Sequence, residues 1–94
     1  MTIHEKINRA IVDHYGLTGW SEATTEAIRR DAGEEGLALI REISSLANQP
    51  EQWIHAASHM GAYEEVQRLL REKYPFLWSD AVLRVATAAA YGWK

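Results

Sequence analysis

A chain of 94 residues has room for a single domain, residues 1–94, whose core buries about 60–65% of the unfolded surface. It contains no Cys, which excludes disulfides, thiolate metal centres and cysteine nucleophiles. The net charge of −3 is uneven, with 8 acids against 5 Lys/Arg in residues 1–50 and 5 of each in residues 51–94. Most of the excess lies between Glu22 and Glu35, and no basic stripe offers a footprint for a phosphate backbone, so nucleic acid is a disfavoured partner.

Met1–Lys6 is charged and amphipathic, unlike a signal peptide. No apolar run approaches the ~20 residues of a membrane span, so a cytoplasmic protein without membrane contact is expected. Thr2-Ile3-His4-Glu5 has the form of a capping box, and Ile3, Ile7, Ala10, Ile11 and His14 or Tyr15 then recur at helical spacing. Gly16 is the stop, and Gly16–Trp20 reads as a loop. Ser21 or Thr24 caps a second helix that runs to about Asp31 and is broken by Ala32-Gly33. A third, from Glu34 to near Asn48, places Leu37, Ile40, Ile43 and Ala47 on one stripe, with Leu39 and Leu46 alongside.

Pro50 suits the first position of a fourth helix through Trp53, Ala57 and Met60 to Gly61. A fifth carries Val66, Leu69, Leu70 and Tyr74, after which Pro75 enforces an aromatic, extended connection, Tyr74–Trp78. Ser79-Asp80 caps the last helix, Ala81–Trp93. Its one charge, Arg84, and one hydroxyl, Thr87, leave it apolar on every side, so other helices or a partner subunit must wrap it. No segment alternates with period two. The expected fold is all-α: about six short helices in antiparallel hairpins, forming one compact bundle or a short solenoid-like domain.

Within Ile54–Lys73, the run Gly61-Ala62-Tyr63-Glu64-Glu65-Val66 followed by Leu69-Leu70 resembles the turn and second helix of an ankyrin repeat, and equally the Gly-x-Tyr-x-Glu turn of a tetratricopeptide repeat. The resemblance covers about one hairpin, and the Thr-Pro-Leu-His opening of ankyrin is absent. It implies antiparallel helices with a left-handed turn at Gly61, and by analogy a protein-binding surface.

Two further motifs bear on function. His55 and His59 stand at i and i+4, the spacing at which two imidazoles on one helix chelate zinc or nickel. Ala56, however, replaces the Glu of a zinc-protease helix, and no metal or other cofactor is expected. Ala57, Gly61, Ala62 and Leu70 fit a helix-turn-helix DNA reader, but Gln67 falls where an aliphatic residue belongs, and Glu64-Glu65 would face the bases. Catalysis has little support. The serines lack a Gly-x-Ser-x-Gly elbow, there is no Gly-rich phosphate loop, and Glu34-Glu35 and Glu64-Glu65 are adjacent and hence splayed. Only an assembly of distant residues such as His14 and Asp31 leaves a route to an enzyme.

Trp53 lies on a helix stripe and reads as structural. Trp20, Trp78 and Trp93 are candidates for exposure and so for interface anchoring. The leading expectation is a non-catalytic protein-binding module that presents Glu22, Glu26, Glu34 and Glu35, with Trp20 and Trp78, to a basic protein partner. In size and charge it resembles bacterial immunity proteins, antitoxins and phage-encoded inhibitors. Self-association is also expected, a homodimer formed through Val82, Val85, Ala89 and Trp93 of the last helix. The competing arrangement puts that helix at the centre of a monomeric bundle.

Overall fold

Helix α1 (Ile3–His14) begins with the expected capping box: the Glu5 amide donates to the Thr2 hydroxyl at 3.2 Å while the Glu5 carboxylate reaches back to Thr2. In the computed structural model, which describes residues 2–16 and 20–93, the remaining helices are α2 (Glu22–Ala47), α3 (Pro50–Ile54), α4 (His59–Lys73) and α5 (Ser79–Gly92). The architecture is all-α, and no strand forms among the described residues. Leu17, Thr18 and Gly19 of the expected Gly16–Trp20 loop lie outside the described residues.

The expected count of about six helices is too high. Four substantial helices form, with α3 a five-residue turn between two of them. The segments expected on either side of Gly33 follow one another without a gap as the two arms of α2, and the expected break falls where Gly33 takes φ 76° and ψ 177°, a backbone region open essentially to glycine alone. The bend is large. A straight helix would hold positions 20 and 41 about 31 Å apart, yet the Arg41 guanidinium lies 5.7 Å from the centre of the Trp20 ring. Trp20 Nε1 also donates to Ser44 Oγ at 3.3 Å. The two halves of α2 therefore double back on each other without an intervening loop.

The stripe Leu37, Ile40, Ile43 and Ala47 is buried as expected, and Leu39 and Leu46 are half-buried beside it. The C-terminus of α2 is closed by side chains: Asn48 Nδ2 donates to the Ser44 carbonyl at 2.8 Å, and the buried Trp53 indole donates to the Ala47 carbonyl at 2.8 Å. The structural reading of Trp53 thus has a stated role.

The fourth expected helix is cut short. Ser58 accepts from the Gly61 amide at 2.9 Å and starts α4 there, so His55–Ser58 forms the turn and Gly61 lies inside a helix rather than ending one. The left-handed turn at Gly61 implied by the repeat resemblance is absent, since Gly33 is the one glycine with positive φ among the described residues. Val66 and Leu70 are buried in the core, while Leu69 is half-buried.

Tyr74–Leu77 is a turn closed by the Leu77 amide on the Tyr74 carbonyl at 3.0 Å, not an extended connection. The N-cap of α5 is Trp78, with no side-chain cap bond from Ser79 or Asp80. Asn8 holds this connection in place. Buried on α1, it donates to the His4 carbonyl at 2.9 Å and the Phe76 carbonyl at 3.0 Å, and accepts from the Trp78 amide at 2.7 Å. The Phe76 ring stacks on His4, their centres 3.9 Å apart.

Helix α5 packs against α1, α2 and α4. Ala81, Val82, Val85, Ala86 and Ala89 are buried in the core of their own chain. Val82, Val85 and Ala89 are therefore covered by their own chain and do not present the exposed face expected of them. Trp93 is half-buried against the same core. Enclosure is incomplete, contrary to expectation: Leu83, Arg84, Thr87 and Tyr91 remain exposed along one side. The radius of gyration, 12.7 Å, is close to the roughly 12 Å of a compact chain of this length.

Candidate functional site

The doubled-back α2 carries the acidic segment. Glu22, Glu26, Glu34 and Glu35 are all exposed. Arg29 bridges the two arms by pairing with Glu26 on its own arm and Glu34 beyond the bend. This contact neutralises part of the acidic face. Asp31 is also engaged, its Oδ2 2.6 Å from His14 Nε2 and its Oδ1 3.1 Å from Arg30 Nε. Those two partners, His14 first, hold the Asp31 carboxyl below its ordinary range.

Trp20 stands beside this arm and is fixed from three directions. It meets the Tyr15 ring edge-on with centres 5.5 Å apart, donates to Ser44, and lies under Arg41. The Tyr15 hydroxyl shares a 2.8 Å hydrogen bond with the same Ser44 oxygen, and burial pushes the Tyr15 phenol above its usual value. About a third of Trp20 is left open to water (36%), enough for an anchor surface whose rotamer is already set. Trp78, also exposed, stands against Asn8, about 10 Å further back along α1 than Tyr15. The structure shows no contact that joins it to Trp20.

The histidine pair does not share a helix. His55 caps the end of α3 and His59 opens α4, so the i, i+4 geometry needed for chelation is lost. His59 Nε2 instead donates to the Ala90 carbonyl at 2.9 Å, and its ring packs 5.2 Å from that of Trp53. The turn that the helix-turn-helix reading places at Gly61 is not there, because α4 already starts at His59. His14 and Asp31 do meet, as the one route to catalysis required. His14 Nε2 and Asp31 Oδ2 lie 2.6 Å apart, which orients the imidazole.

Sequence reasoning missed two surfaces. One is an apolar groove of about 250 Å³ between α4 and α5, lined by Met60, Tyr63, Ala90 and Tyr91 with His59 and Thr87. Its signal was the exposed side of the last helix, where Leu83, Thr87 and Tyr91 recur every four residues. The other is a hollow between α1 and α2 lined by Lys6, Arg9, Arg30 and Asp31. Its signal was the Lys6–Arg9 spacing, which puts both cations on one helix face. No protein-family model, curated protein or solved structure matches this chain.

Proposed function

We propose that this protein is a non-catalytic binding module that engages a basic protein partner through the exposed acids of α2: Glu22, Glu26, Glu34 and Glu35. The observation that supports it best is where the charge sits. Residues 22–35 contain five acids and two arginines, an excess equal to the −3 of the entire chain, while the remaining residues balance. Opposite charge steers a basic partner to this arm and speeds encounter, and the pinned Trp20 supplies apolar contact at its edge. A role in neutralising a toxic protein or inhibiting a host factor suits such a module, on the analogy of size and charge alone.

The test is affinity capture from native lysate by wild type and by the triple variant Glu26→Lys, Glu34→Lys, Glu35→Lys, with circular dichroism as a fold control. The expected result is one stoichiometric partner for wild type and its loss from the variant. Equal recovery by both rejects the acidic face, and no recovery by either rejects the module.

A further inference from the structure

The hollow between α1 and α2 has an electrostatic character opposite to that of the chain as a whole. Lys6 and Arg9 lie one turn apart on α1, and Arg30 stands across from them on α2, around a volume of about 300 Å³. The one carboxylate in its wall, Asp31, has both oxygens occupied, Oδ1 by Arg30 and Oδ2 by His14. Lys6 and Arg9 enter no ion pair among the described residues, although acids outnumber Lys/Arg by 13 to 10 in the chain. Arg30 commits only its Nε to Asp31, leaving its terminal nitrogens out of that bond.

The hollow is therefore a concave surface with two unmatched cations and a free guanidinium edge. Guanidinium groups present paired donors that match two oxygens of one anion, and the Lys6 ammonium adds a point charge.

We propose that this hollow binds a small molecule through a dianionic phosphate group. Three cationic side chains from two walls suit a dianion with three free oxygens better than a carboxylate with two. Since a water takes about 30 Å³ of the liquid, the hollow also has room for a compact organic body beyond the phosphate. A nucleic acid duplex does not fit the same electrostatics, because Glu22, Glu26 and Glu34 on the same helix repel an extended polyanion.

The proposal is tested on the full chain by amide NMR, titrating inorganic phosphate at constant ionic strength and pH. Saturable shifts are expected around Lys6–Arg9 and Arg30–Asp31. The double variant Lys6→Gln, Arg9→Gln should bind at least about tenfold more weakly, as loss of charge-assisted hydrogen bonds implies. Arg71→Gln, which removes a cation from α4, should leave binding unchanged. A simple sugar phosphate should bind more tightly than phosphate alone. Absence of saturable shifts, an equal response to chloride, an equal loss in the Arg71 variant, or stronger displacement of the same amides by duplex DNA would each overturn the assignment.

Discussion

Asn8 is the residue whose role the sequence concealed most completely. It sits three positions before Ile11 on the inward side of α1, where helical periodicity marks a core position but gives a polar amide no evident partner. Its partners come from 68 and 70 residues away, the Phe76 carbonyl and the Trp78 amide. Replacing it by Ala leaves these groups unpaired in a part-buried site, so Asn8→Ala should cost about 2–3 kcal/mol. Urea unfolding should show a lower midpoint with an unchanged slope; a midpoint within error of wild type would show that water replaces the amide. Titrating side chains set a second expectation. The folded carboxyl of Asp31 is held low by His14 and Arg30, and that of Glu65 by Arg68, so both contribute stability above the ordinary carboxylate range that is lost as pH falls through their folded values. Tyr15 and Tyr74 have raised values, chiefly through burial, and the folded state keeps their protons where the unfolded chain releases them. Stability should therefore also fall above about pH 10, the ordinary tyrosine value. Thermal melts across pH should give a plateau bounded by an acid and an alkaline limb, and in Tyr15→Phe the alkaline limb should be shallower.

At the level of elements, local signals were legible wherever a side chain within a few residues decides the outcome. The capping box of α1, the stripe of α2 and the break at Gly33 all belong to this class. The break is also where local reading stopped short, because it says that regular geometry ends but not that the two arms return along each other. That depends on Trp20 finding Ser44 and Arg41. A Cβ at Gly33 would meet nothing within 4 Å, so Gly33→Ala isolates backbone conformation from crowding. It should destabilise by about 1–3 kcal/mol, the usual cost of forcing such a dihedral, and weaken the near-ultraviolet signal of Trp20. Unaltered stability would mean that the arms turn without the glycine dihedral. The α3–α4 boundary was misplaced for a related reason. Gly61 and Ser58 are both plausible punctuation, and the Ser58 cap prevails because its oxygen satisfies an amide that would otherwise lack a partner.

For the whole molecule, the apolar last helix demanded a cover, and the fold itself supplies most of it. If Val85 lies in the core of a single chain, Val85→Ala should cost about 2 kcal/mol through the cavity it leaves, and the loss should not depend on protein concentration. A concentration-dependent melting temperature would restore an intermolecular role for that face. The sequence by itself determined that the chain is helical, which faces are apolar, and that acidic charge collects between Glu22 and Glu35, because periodicity, capping and composition act over a few residues. Only the tertiary structure decided that α5 is buried by its own chain, that His55 and His59 part company across a turn, that Arg29 spans the two arms of α2, and that Lys6, Arg9 and Arg30 converge on one hollow. Each of these joins groups brought together by packing, and the free energy of packing depends on the shape of all the helices at once.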